Sequence, residues 1–224
     1  MQIGTPVPYD AAVFAGKPVI GIAGGVGSGK SFIARLFGEL GCAVIDSDAQ
    51  VRAAYLDPSV RQTIRSWWGD EVFLPGGEIN RAAIARKVFA DEGQRRRLEG
   101  LIHPWVAEAR RRDMSAAAND PQTVAYVWDT PLLFEAGLAP ECDAVVFVDA
   151  PEEVRLERVR KTRGWDAAEL RRRENLQWPL DKKRRISHYV VTNTADADDP
   201  RGQVREVLSR ILARSSNRPD QRPG

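Results

Sequence analysis

Residues 19–31 read VIGIAGGVGSGKS and constrain the fold more than any other stretch. Val19, Ile20 and Ile22 form a short apolar run that predicts a buried strand. The run breaks into Gly24, Gly25, Gly27 and Gly29, then Lys30 and Ser31, which satisfies G-x-x-x-x-G-K-[ST] from Gly24 onward. A loop without side chains lets backbone N–H groups curl around phosphate oxygens. The N-terminus of the following helix adds its dipole and its unpaired N–H groups. That helix is predicted by Ile33, Leu36, Phe37 and Leu40 at i, i+3, i+4 and i+7, with Gly41 in the C′ position. Strand, loop and helix together define a nucleotide-phosphate site. Lys30 would reach the β/γ-phosphates and the Ser31 hydroxyl would hold Mg²⁺.

A chain of 224 residues is long enough to bury a full α/β core around that loop. No apolar run approaches the roughly 20 residues of a membrane span. Residues 1–17 lack the basic and apolar regions of a secretory signal and read as a loose extension. Cys42 and Cys142 border predicted strands and read as small buried hydrophobes in a reducing, cytoplasmic compartment. The net charge of +2 hides an uneven distribution: from Arg155 to Arg185 there are twelve Lys and Arg against five Asp and Glu. Such a segment closes over polyphosphate, binds nucleic acid, or is a solvated helical face.

The remaining elements follow in order. Cys42–Ile45 predicts a second strand that ends in Asp46-Ser47-Asp48. Ligands of open α/β sheets sit outside the carboxyl ends of strands, so both aspartates are expected to face the crevice of the phosphate loop. Their competing role is to cap a helix over Ala49–Leu56. Asp57-Pro58 breaks that helix, and Ser59 is expected to cap another carrying Val60, Ile64 and Trp67. Asn80 and Asp91 are further caps, and His103-Pro104 is expected to interrupt before a helix from Trp105 toward Ala118. This β-free stretch, about 57–119, reads as a helical insertion that forms a second substrate's pocket, or as a structural crossover. Thr123–Trp128 predicts an apolar parallel strand, after which Asp129 takes a position suited to Mg²⁺. Ala144–Val148 is another strand and Val154–Lys161 a helix. Asp166 caps a helix to Leu176, Pro179 breaks it, and Lys182–Arg185 is a basic run. Tyr189–Val191 is the last strand, Val204, Val207, Leu208 and Ile211 mark a final amphipathic helix, and the tail from about Ser215 reads as disordered. The alternation predicts a three-layer α/β fold with a five-stranded parallel sheet.

The chain lacks an N-K-x-D guanine-reading motif, and its arginine-rich segment lies between the last two strands, where a lid belongs. Arginine suits a lid because its fork pairs bidentately with phosphate and stays charged. At this point the sequence resembles the dephospho-coenzyme A kinase family. The resemblance is carried by GIAGGVGSGKS (Gly21–Ser31), VIDSD (Val44–Asp48), LIHPWV (Leu101–Val106), TPLLFEAGL (Thr130–Leu138), RVRKTRG (Arg158–Gly164) and RENLQWPLDKKRRISHYVVTN (Arg173–Asn193), over roughly Pro18 to Leu212. It departs where the family's lid ends in Ala-Asp, since this chain has Ser187-His188.

The resemblance implies ATP- and Mg²⁺-dependent phosphorylation of the ribose 3′-hydroxyl of dephospho-CoA, with no nucleic acid or membrane partner and a monomeric or weakly homo-oligomeric state. ATP would meet Gly25, Val26, Gly27, Ser28, Gly29, Lys30, Ser31 and Phe32, with Arg158 and Arg163 clamping its phosphates and Asn193 near its adenine. Lys30, Arg158 and Asp48 would be catalytic, Asp48 as the general base for the acceptor alcohol. Asp46, His103, Pro131, Leu132, Arg173 and Gln177 would line the acceptor side, His103 in a structural role, and Ser31 and Asp129 would hold the metal. The alternatives are a kinase for another nucleoside-like or small alcohol, and a nucleotide-gated RNA-binding regulator that uses the basic segment. Only Trp165 and Trp178 interleave with those arginines, which argues against base stacking.

Overall fold

The structure, a computed structural model, describes residues 14, 16–194 and 200–216. Strands β1 (Val19–Gly24), β2 (Cys42–Asp46), β3 (Ala125–Asp129), β4 (Ala144–Asp149) and β5 (Tyr189–Thr192) form one parallel sheet in the order β2-β3-β1-β4-β5. Successive residues alternate between its faces. Ile20, Ile22, Val127, Val146 and Val148 belong to one core, and Val19, Ala23, Tyr126, Trp128, Val145 and Phe147 to the other. Both faces are covered, so β3 and β4 are apolar at successive positions up to the aspartates that end them, rather than at every second one.

The chain divides into two compact units, Met1–Ile45 with Met114–Gly224, and Asp46–Asp113. In the first, α1 (Lys30–Glu39) and α9 (Pro200–Ser216) cover one face of the sheet with Ile33, Leu36, Phe37, Val204, Leu208 and Ile211. Leu133, Phe134, Met114 and Phe14 pack on the other. Phe14 lies in the stretch expected to be a loose extension, yet it is buried and its carbonyl accepts a hydrogen bond from the Tyr126 hydroxyl at 3.2 Å. Residues 1–13 lie outside the described residues. The helix α9 runs through Ser216, past the point where a disordered tail was expected, and residues 217–224 lie outside the described residues. The basic segment forms α6 (Glu152–Arg163), α7 (Ala167–Glu174) and α8 (Leu180–Ile186).

The second unit packs α2 (Ser47–Ala54), α3 (Pro58–Trp68), α4 (Arg81–Ala90) and residues of α5 (Glu92–Ala118) around Val60, Ile64, Trp68, Val72, Ile84, Leu98, Ile102 and Val106. Several boundaries differ from expectation, each for a local reason. Helix α2 begins at Ser47 because Asp46, at the preceding position, accepts the Ala49 N–H at 2.9 Å. Asp57, not Ser59, caps α3: its carboxylate accepts the Ser59 and Val60 N–H groups, and Pro58 fills the first helical position, where a missing N–H costs nothing. Trp68, four residues beyond Ile64 on the same face of α3, is buried and donates to Gln94 at 2.9 Å, while Trp67 packs partly buried against the same cluster. Pro104 does not interrupt: α5 is one helix of 27 residues with the proline inside it. The hydrogen bond lost at Pro104 is outweighed by the burial of Leu98, Ile102 and Val106 on either side. Asn80, Asp91 and Asp166 cap as expected, bonding the N–H groups of Ala83, Gln94 and Glu169.

The departure at Ser187-His188 has a structural outcome. The His188 N–H donates to the Val145 carbonyl at 2.9 Å, and His188 Nδ1 accepts the Val145 N–H at 3.0 Å. The imidazole thus supplies an acceptor at the entrance of β4 that a carboxylate oxygen would also supply. His188→Asp is expected to melt near the wild-type temperature at neutral pH, whereas His188→Ala, which leaves the Val145 N–H without its acceptor, loses about 1 kcal/mol in thermal or urea unfolding.

Candidate active site

The phosphate loop joins β1 to α1. Helix α1 begins after Gly29 at φ 90°, with no side chain capping it, so the first-turn N–H groups remain open to an anion. The Lys30 ammonium folds back on the Gly24 and Gly25 carbonyls at 3.2 and 2.9 Å. Burial pushes Lys30 down to about 8; Asp129 and Glu135 oppose this, while Lys183 and Arg163 add to it. Polyphosphate would oppose that effect, because an opposite charge beside the ammonium favours its charged form. The loop is packed tightly from behind. A Cβ on Gly27 would come 2.7 Å from the Arg155 carbonyl oxygen, and one on Gly29 would overlap the Asn193 amide. The Ser28 hydroxyl is buried with no hydrogen-bond partner among the described residues.

Three side chains from outside the loop hold it in shape. Asn193 donates to the Ser28 carbonyl at 2.7 Å, and its own N–H donates to Asp149 at 2.8 Å. Arg158 donates to the carbonyls of Ser28 and Asn193, each at 3.0 Å. Buried Arg155 donates to Ala150 at 3.1 Å and Val26 at 3.4 Å, and forms an ion pair with Glu174 at the end of α7. Of these, Arg158 and Asn193 were expected at the nucleotide from sequence, and Arg155 and Glu174 were missed. Their signal was weak, because an arginine and a glutamate inside a charged segment carry no mark of burial.

The other expected residues are distributed as follows. Ser31 is exposed in the first turn of α1, Phe32 packs beside the core, and Asp129 is buried at the end of β3. Arg163 is exposed near the tip of the basic segment; it and Arg173 lie over the Trp165 ring at 4.7 and 4.9 Å. Arg173 also pairs with Glu169 at 2.8 Å, and hydrogen bonds from Arg172 and Arg173 hold that carboxyl down at about 2. Gln177 accepts from Lys183 at 2.9 Å. Pro131 and Leu132 are exposed in the turns after β3. In the second unit, Asp46 caps α2 and meets Arg52 at 3.3 Å, whereas no described residue bonds the exposed Asp48 carboxylate. His103 is exposed on α5.

A parallel sheet in the order 2-3-1-4-5, with a glycine loop and lysine after its central strand, defines a phosphate-loop nucleotide-binding fold. Residues 18–199 match the model of the dephospho-CoA kinase family. Dephospho-CoA kinase of Syntrophotalea carbinolica is 39% identical over 196 residues, 87% of this chain and 92% of that one. The enzyme of the same name from Thermobifida fusca is 34% identical over 201 residues, 89% of this chain and 98% of its own. The crystal structure of TT1252 from Thermus thermophilus superposes with a TM-score of 0.76 at 31% identity, covering 87% of this chain and 97% of that one. The chain therefore belongs to the dephospho-CoA kinase family.

The loop's rear packing is open to test. Asn193→Ala removes the amide that supports Ser28, and is expected to cost about 1–3 kcal/mol in unfolding while weakening the binding of a non-hydrolysable ATP analogue by calorimetry. Gly29→Ala forces a side chain into the Asn193 amide at positive φ, and is expected to abolish detectable analogue binding.

Proposed function

We propose that this chain transfers the γ-phosphoryl group of ATP to the ribose 3′-hydroxyl of dephospho-CoA, giving CoA and ADP in the last step of CoA synthesis. The observation that carries the proposal is the uncapped α1 N-terminus with Lys30 beside it, in a chain of this family. The acceptor oxygen forms a bond to the γ-phosphorus as the bond to the β,γ-bridging oxygen breaks. Asp48 takes the proton of the acceptor alcohol, and its carboxylate is free to do so because Asp46 performs the capping. Lys30 and the first-turn N–H groups neutralise charge gathering on the transferred and leaving oxygens. Arg163 and Arg173 approach the phosphates from the lid and exclude water, while Arg158 acts by bracing Ser28.

Magnesium fits the residues present. Among the described residues, no three His, Cys, Asp or Glu form a metal cage. Mg²⁺ needs no such cage, since it takes one or two protein ligands alongside phosphate oxygens and waters. The Ser31 hydroxyl and the Asp129 carboxylate would supply the protein ligands. When bound, the ion polarises the phosphoryl oxygens. The same proposal assigns the reaction to the cytoplasm, in keeping with Cys42 and Cys142 forming no disulfide. No helix among the described residues is long and apolar enough to cross a membrane.

The test is ADP formation with dephospho-CoA against adenosine, uridine and small sugars. Dephospho-CoA is expected to give the only rate above the ATP-only background; a rate with another acceptor alone would refute the assignment. Asp48→Asn is expected to lower kcat by about 10²-fold or more with analogue affinity retained, since general-base catalysis contributes about 10²–10⁴-fold. Near-normal turnover in that variant would remove Asp48 from the role.

A further inference from the structure

The run Lys182–Arg185 reads as a solvated face, yet Lys183 turns inward and is 2% exposed. Its ammonium donates to the Glu135 carboxylate at 2.7 Å and to Gln177 Oε1 at 2.9 Å. The same Glu135 oxygen accepts the Trp178 backbone N–H at 2.8 Å. The Trp178 indole stacks on Phe134 with centroids 5.8 Å apart and planes 14° from parallel. Leu180, at the start of α8, packs into the core that contains Phe134. These contacts fasten the turn between α7 and α8 to the segment that leaves β3 after Asp129. Burial pushes the Glu135 carboxyl up, but the bonds from Lys183 and Trp178 outweigh it and hold the carboxyl below its ordinary range. Lys30 lies within electrostatic reach of both Glu135 and Lys183.

Stability alone does not explain this arrangement. Removing two charges from water costs several kcal/mol per ion, and an apolar pair of similar volume is often as stable or more so. What the ionic arrangement adds is geometry. One carboxylate oxygen collects a donor from each side of Pro179, and a lysine, which can only donate, fixes which end of the Gln177 amide faces it.

We infer that Glu135 and Lys183 are positioning residues for phosphoryl transfer, which fasten the base of the lid to the segment leaving β3 beside the phosphate loop. The inference rests on the kinase reading above. Neither residue touches a reacting atom. They act through Gln177 and Trp178, so that the arginines of α6 and α7 close over the phosphates from a fixed base and water stays out. A base free to rock misplaces those arginines, and displacements of about 1 Å at a reacting centre cost up to about 10²-fold in rate.

The test compares the whole protein with Glu135→Gln, Lys183→Met and the double variant, by thermal melting, ATP-analogue affinity, ADP formation with dephospho-CoA, and phosphate release without acceptor. Each single variant leaves one buried partner unmatched and should melt lower, whereas the double variant, with no unpaired buried charge, should recover much of the loss. In all three, acceptor-free phosphate release should rise about threefold or more, transfer should fall about tenfold or more, and analogue Kd should move less than about threefold. Hydrogen exchange at the Trp178 amide should quicken in all three. Recovery of transfer along with melting in the double variant would reduce the pair to a structural role. Analogue binding weakened more than about tenfold by Lys183→Met alone would make Lys183 a phosphate ligand instead. Both results overturn the inference, as does unchanged acceptor-free release. If the wild-type protein fails to phosphorylate dephospho-CoA, the kinase reading falls, and the pair is still judged by acceptor-free release and Trp178 exchange.

Discussion

The carbonyl oxygen of Ser28 is where the phosphate loop is tied to the rest of its unit. It accepts from Asn193, 165 residues away beyond β5, and from Arg158, 130 residues away in α6. Arg158 closes the triangle by donating to the Asn193 carbonyl. A glycine loop is flexible by composition, and a flexible loop is a poor anion site because its N–H groups must be ordered anew at each binding event. The triangle supplies that order in advance. It also explains the demand for glycine at position 29: the Asn193 amide stands where a Cβ would go.

The same geometry divides the basic segment into two populations. Arg155, Arg158 and Lys183 turn inward, and each bonds a backbone carbonyl or a carboxylate. Arg163, Arg171, Arg172 and Arg184 stay exposed, in cation–π contacts or ion pairs that contribute little to stability. The surplus of positive charge between 155 and 185 is therefore not one feature with one purpose. The inward side chains brace the loop and the turn between α7 and α8. The outward ones, with Arg163 and Arg173 held against Trp165, remain available to an anionic ligand.

Much of this was legible in the sequence wherever a local pattern has one physical solution. Strand β1, the loop and α1 follow from an apolar run, a glycine spacing that suits a phosphate cradle and an i, i+3, i+4, i+7 apolar pattern, and β4 follows from an apolar run too short for a helix. Capping at Asn80, Asp91 and Asp166 was legible because a short polar side chain before a helix has little else to do. Pro104 reads as a break because its local effect is to end a helix, and the burial of Ile102 and Val106 on either side is what overrides it. Lys183 was hidden because its neighbours Lys182, Arg184 and Arg185 share its charge and remain exposed. The carboxylate that singles it out lies 48 positions earlier, in Glu135. Periodicity carries no information on long-range pairing of that kind.

In the motif Asp46-Ser47-Asp48 a structural duty bears on the chemical role proposed above. The N-terminus of α2 needs an acceptor, and the residue just before the helix is the one whose side chain can reach back to it. Asp46 holds that place, with one oxygen on the Ala49 N–H and the other facing Arg52. A carboxylate so engaged gives up existing bonds when it accepts a proton from an alcohol. Asp48, one residue into the helix, has both oxygens clear of described partners. Both aspartates could not have been free, since without Asp46 the helix that presents Asp48 would lose its cap. The first aspartate therefore leaves the second unengaged, which is why the reaction proposed above gives the proton-accepting role to Asp48 rather than to Asp46.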